Sequence, residues 1–163
     1  MLDSTILTIT SDAQLLTIVR EQLHDHVGPG SRMIVAPTVD EACSLLQTTQ
    51  VRLVVLHWAR QRASYDQLDR LLWTTTLMSR RAPILVIAER YRTDQATMLF
   101  RMGVSEYISR THHLDHLGRV FAAFLPHPTE SAAPGLVESN GVGRSSKMEP
   151  LAPRARMASG HSA

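Results

Sequence analysis

The stretch Arg52-Leu53-Val54-Val55-Leu56-His57-Trp58 constrains this 163-residue chain more than any other. Its branched apolar run is too short for a stable solitary helix and suits a strand buried on both faces of a parallel sheet. His57 stands where that strand ends. In open α/β sheets, ligands and chemistry sit in the crevice outside the carboxyl ends of the strands, so the residue at this tip is a candidate functional position.

The neighbouring segments repeat the same alternation. Ile6-Leu7-Thr8-Ile9 predicts a first buried strand, and Ser11 followed by Gln14 has the spacing of a capping box that opens a helix through Leu15, Val19 and Leu23. Gly28-Pro29-Gly30 ends it. Met33-Ile34-Val35-Ala36 predicts a second strand, and Thr38 with Glu41 opens a helix through Ala42, Leu45 and Leu46. After the central strand comes a polar loop at 59–62, then a capped start at Ser64 with Gln67 and an inward face of Leu68, Leu71 and Leu72. Pro83 to Ala88 predicts a fourth strand, Asp94 to Met102 a helix stopped by Gly103, and Val104 to Ile108 a fifth strand. Leu114, Leu117, Val120, Phe121 and Phe124 give the last helix its stripe.

Strands alternating with helices across short connections mean right-handed βαβ crossovers, so the expected fold is α/β: a doubly wound five-stranded parallel sheet with helices on both faces. This domain is expected over 1–125. From 126 to 163 Ser, Gly, Ala and Pro are in excess and large apolar residues are few, which predicts a disordered tail.

Composition excludes several classes. Aromatic residues make up 5% of the chain, too few for a platform that stacks single-stranded nucleic acid. The pI of about 9.1 rests on a net charge of only +2, much of it in the tail, so no nucleic-acid partner is expected. No apolar run approaches a membrane span and the first residues lack a signal-peptide pattern, so a cytoplasmic location is expected. The single cysteine, Cys43, predicts a buried helical residue and no thiolate metal cluster. Lys147, in the tail, is the only lysine. Chemistry that needs a lysine in the folded part is therefore excluded.

The order and spacing of segments from about Ser4 to Leu125 resemble the receiver domain of bacterial two-component response regulators, the CheY-like superfamily with its flavodoxin-like (βα)5 fold. The resemblance includes the helix ending in Met102-Gly103, the Glu106-Tyr107-Ile108 strand and the Leu-rich helix after it. It implies acidic residues at the first strand end for Mg²⁺, a phospho-accepting aspartate at the third, Thr or Ser at the fourth, and lysine then proline at the fifth. In this chain Thr10 and Ser11 stand at the acidic pair, with Asp12 one step late, and His57 replaces the aspartate. Ala88 replaces the hydroxyl residue, while Arg110 and Thr111 replace lysine and proline. Aspartyl phosphorylation needs a carboxylate nucleophile, a hard cation held by oxygens, and donors around the moving phosphoryl group. An imidazole and a Thr-Ser pair cannot supply them.

The expected function is that of a pseudo-receiver: a degenerate phospho-acceptor pocket of Thr10, Ser11, Asp12, His57, Ala88 and Arg110, with signalling by phosphorylation-independent protein contacts. His57 is expected to fill the pocket and hydrogen-bond to backbone or to a group such as Asp12. Arg110 is read as an ion-paired arginine or as an anion site. By analogy with the family, the contact face comprises Arg92, Gln95, Leu99, Tyr107, Arg110, His113 and Leu117, toward a signalling partner or a second copy. Tyr107 is either a half-buried strand residue or a ring that a partner moves; with Ala88 in place of the hydroxyl, its coupling to the pocket is expected to be broken. Trp58 is expected near the pocket, and Trp73 is off the inward stripe of its helix. His112 and His116, one turn apart, lack a third ligand, so no metal and no cofactor are expected. The alternative is a small-molecule or anion sensor, or an enzyme, at the same sheet end. Against it, Thr10-Ser11-Asp12-Ala13 has no phosphate-binding glycine and no catalytic constellation can be assembled.

Overall fold

In the computed structural model, which describes residues 4–59, 64–78 and 81–125, the Leu53 to Leu56 run lies at the centre of one parallel sheet. The strands are β1 (Ser4–Ile9), β2 (Ser31–Ala36), β3 (Leu53–Trp58), β4 (Ile84–Ala88) and β5 (Glu106–Ser109). Between them run α1 (Ala13–Val27), α2 (Val39–Thr48), α3 (Tyr65–Thr76) and α4 (Thr93–Met102). A 3₁₀ turn at Leu114–His116 precedes α5 (Leu117–Phe124). The strand order is β2-β1-β3-β4-β5, and every neighbouring pair is parallel. The chain winds outward first to one edge and then to the other. β1 and β3 are the inner pair, and their carboxyl ends flank the point where the winding reverses. The expected tail at 126–163 lies outside the described residues, as do residues 60–62 of the polar loop and residues 1–3 of the domain expected over 1–125.

Alternation along the strands sorts the core into two layers. Leu7, Ile9, Val54, Leu56 and Val86 face α2, α3 and α4, while Ile6, Val55, Leu85, Ile87 and Ile108 face α1 and α5. Phe121 of α5 is fully buried in the second layer with Leu15 and Val19 of α1. Covering both faces explains why the inner strands read as continuous apolar runs.

The helix starts follow local chemistry, with one correction. Ser64 and Gln67 form a reciprocal capping box at α3, and the Thr38 hydroxyl accepts from the Glu41 N–H at α2. At α1 the cap is Asp12 and not Ser11: the Asp12 carboxylate accepts from the Leu15 N–H at 2.9 Å, and Ser11 is exposed. A carboxylate at the N-cap also meets the positive end of the helix dipole, which a serine hydroxyl does less well. α4 stops at Gly103, whose φ of 109° is open to glycine at no steric cost. That reversal delivers the chain into β5 and so aims Arg110 at the sheet end.

Candidate functional site

Residues two apart on a strand share a face. At the strand ends, Thr10, His57, Glu89 and Arg110 continue the rows that hold Ile6, Val55, Ile87 and Ile108 on the α1 and α5 side. Four different strand tips thus bring their side chains to one place. Asp12 and Gln14 join them from the start of α1.

The contacts form one connected network. The Asp12 N–H donates to Thr10 Oγ1 at 3.0 Å, and Thr10 Oγ1 lies 2.9 Å from His57 Nδ1. On the other side of the ring, His57 Nε2 is 3.2 Å from Glu89 Oε1. Arg110 closes the loop: Nη1 donates to Asp12 Oδ2 at 2.7 Å and to Glu89 Oε1 at 3.2 Å, and Nη2 donates to Gln14 Oε1 at 2.7 Å. With the Thr10 hydroxyl proton directed to Nδ1 and Nε2–H to Glu89, a neutral imidazole uses both ring nitrogens. His57 does not bond to Asp12; Thr10 and Glu89 take that role, because Arg110 already holds the Asp12 oxygen.

Burial gives these bonds weight. The side chains of His57 and Arg110 are 10% and 17% exposed, whereas Glu89 is 54% exposed and forms the outer wall. The Leu15 N–H, acting on its carboxylate, holds Asp12 below its ordinary pKa, with Arg110 adding to the effect against partial burial. Partial burial disfavours the Arg110 charge, yet the hydrogen bond and attraction of Asp12, then of Glu89, raise its pKa above the ordinary value. Beside the network opens a cleft of ≈ 410 Å³ lined by Thr10, Asp12, His57, Glu89, Thr38 and Val39, among others.

No protein-family model and no curated protein matches the sequence. Solved structures do match the fold. A response regulator from Thermotoga maritima superposes with a TM-score of 0.64 at 18% identity, over 76% of this chain and 98% of that one. An orphan response regulator of H. pylori gives 0.61 at 15% identity, over 76% and 97%. A pilus assembly protein, CpaE, from Caulobacter crescentus gives 0.60 at 17% identity, over 76% and 94%. The fold is that of a receiver domain.

Against the receiver pattern, the tip residues do not fit a Mg²⁺ cage. A hard dication needs about six oxygen ligands, and here the oxygens of Thr10 and Asp12 are engaged by His57, Arg110 and backbone N–H groups. Ala88 is buried at the end of β4 and offers no hydroxyl. At the lysine position Arg110 keeps a cation, and at the proline position the Thr111 hydroxyl donates to the Glu89 carbonyl at 3.1 Å, which a proline cannot do.

The expected contact face needs correction. Leu99 and Leu117 have no exposed surface and Tyr107 is 3% exposed, so all three belong to the core. Of that face Arg92 is exposed, Gln95 and His113 are half-buried, and Arg110 faces the tip network. The Tyr107 hydroxyl lies 2.9 Å from Gln95 Oε1 and 3.2 Å from the Arg90 carbonyl, and burial raises its pKa. Its ring is 5.2 Å from that of Tyr91. Trp58 does not cover the His57 tip; being the next residue on β3, it points to the opposite face, where it is buried and packs 5.2 Å from Tyr65. His113 Nδ1 accepts from the Ser109 N–H at 3.2 Å, while His112 and His116 are exposed. Trp73 and Leu77 are the large apolar residues most open to solvent, at 66% and 71% exposed among the described residues. Two network members lie outside the expected pocket: Glu89, which carries no signal in the sequence, and Gln14, whose spacing from Ser11 predicts a capping box and whose amide instead meets Arg110.

Proposed function

We propose that this chain is a signalling module of the receiver type that works without aspartyl phosphate, through contacts with another protein molecule. The observation that carries this reading is the Arg110 guanidinium seated on Asp12 and Glu89 with His57 between Thr10 and Glu89. A phosphoryl group entering there would meet a satisfied network and no carboxylate nucleophile at the third strand end. Breaking such a network leaves the largely buried His57 and Arg110 groups unpaired, at a cost of about 1–3 kcal/mol each, whereas the exposed Glu89 and Gln14 can turn to water. Output by protein contact is favoured by Trp73 in the last turn of α3 and Leu77 at the cap that follows it, since exposed tryptophan is enriched where partners bind. Arg92 and Gln95 offer polar contacts at α4.

The test is incubation with Mg²⁺ and acetyl phosphate or beryllofluoride, followed by intact mass and NMR spectra. No mass gain and no shifts at His57, Ala88 or Tyr107 are expected. A stable adduct, or shifts that spread from the strand tips to Tyr107, would overturn the proposal.

A further inference from the structure

We infer that the cleft between the tip of β3 and the segment joining β4 to α4 binds a small aromatic carboxylate, with its ring against Trp58 and Tyr91 and its acid group on Arg90. The cleft measures ≈ 520 Å³, within the range of about 300–1,000 Å³ usual for small-ligand sites, and lies on the side of the sheet opposite His57. Its floor is apolar. Trp58 and Ala88 end neighbouring strands in register, both are buried, and Ala88 contributes only a methyl group. Tyr91 forms a side wall that is already braced: its ring lies 5.2 Å from that of Tyr107 and 5.5 Å from that of His113, yet the residue is 45% exposed. A wall held in place before binding loses little rotamer freedom when a ligand ring packs on it, and tilted contacts between rings add to the gain from burial.

Charge at the rim decides what the ring must carry. Aromatic walls alone would suit a cation equally well. Here the rim bears Arg90 and Arg92 beside Glu89. Asp94 engages Arg92 through two hydrogen bonds, at 2.7 and 3.3 Å, and Glu89 is engaged by His57 and Arg110. Arg90 is exposed and has no acidic partner among the described residues. An uncompensated guanidinium repels a cationic ligand and pairs in fork geometry with a carboxylate. Gln95 supplies a second donor: its Oε1 accepts from the Tyr107 hydroxyl at 2.9 Å, which leaves the Nε2 amide group to donate into the cleft.

Neither aspartyl phosphate nor a protein partner enters this binding, so its test and the acetyl phosphate test fail independently. The full chain is titrated with indole-3-acetate and followed by NMR. Indole-3-acetamide, with the same ring and no charge, and acetate, with the charge and no ring, are the controls. Saturable shifts are expected at the Trp58 indole N–H, the Ala88 methyl and Tyr91, with none at the Trp73 indole N–H, and each control is expected to bind at least about ten-fold more weakly. Arg90→Gln is expected to weaken the acid about ten-fold and leave the amide unchanged, whereas Tyr91→Ala weakens both. Both positions are exposed, and circular dichroism melts confirm that each variant is folded. No saturable shift at millimolar probe overturns the proposal. So does equal affinity for acid and amide, acid binding unaltered in Arg90→Gln, or shifts confined to Trp73.

Discussion

Arg110 and Asp12 are separated by 98 positions in the chain and meet at 2.7 Å. The same carboxylate that caps α1 through Oδ1 thereby anchors the segment after β5 through Oδ2. Loss of the cap costs about 1 kcal/mol and loss of a part-exposed ion pair up to about 1 kcal/mol more. Asp12→Ala is therefore expected to lower the unfolding free energy by about 1–2 kcal/mol in urea titrations. A change below about 0.3 kcal/mol would mean that neither bond matters to the fold.

The charge of Asp12 is separable from its capping oxygen. Its pKa in the folded chain is lowered, so its charge contributes stability above the unfolded-state pKa, and that contribution fades as pH falls through the folded value. Asp12→Asn keeps a capping acceptor and removes the titration. The stability gap between the unaltered chain and Asp12→Asn is expected to be full at neutral pH and to close in strong acid. A gap that widens on acidification would contradict the assigned direction.

Phe121 is fully buried where α5 crosses α1 and the sheet. Phe121→Ala removes the largest of the fully buried side chains, at an expected cost of about 3–5 kcal/mol measured by denaturation. A cost below about 1.5 kcal/mol would show that α5 is not seated on this layer.

Gly103→Ala forces an L residue to a φ of 109°. The expected loss is about 1–2 kcal/mol. The new Cβ would also come to 3.1 Å from Arg81 Nη2, a flexible side chain that can yield, so backbone strain accounts for most of the effect. Calorimetric melting of the variant measures it.

Trp73 and Leu77 contribute little to the core, being mostly exposed. Trp73→Ser with Leu77→Ser is expected to change stability by no more than about 0.5 kcal/mol per site. If α3 carries the proposed protein contact, the double variant shows weaker self-association in sedimentation velocity. Association that is present and unaltered by the change would move the contact elsewhere.

The sheet was legible because burial on both faces leaves uninterrupted apolar runs, and the helices because Ser64 and Thr38 announce their starts by spacing. The tip was only partly legible. Thr10, Asp12, His57 and Arg110 lie at strand ends that topology converges, whereas Glu89 stands in a polar loop whose partner, Arg110, is 21 positions away. No periodic pattern connects those two. Family analogy alone sets Leu99 and Leu117 on a contact face, whereas helical spacing puts Leu99 with Ala96 and Leu117 with Phe121 on inward stripes, where they are buried. Strand alternation likewise separates Trp58 from its neighbour His57.

Tyr107 sits like a bolt whose inner handle has been removed. On the inside Ala88 ends its strand in a methyl group, which offers the ring nothing to pull against. On the outside Tyr91 lies against the ring and is 45% exposed, and Gln95 holds the hydroxyl. On the reading proposed above, force reaches this ring from a body that presses on Tyr91 or Gln95. News would then travel inward, from whatever touches the molecule toward its sheet, the reverse of the direction in which a phosphate at the strand tips would send it.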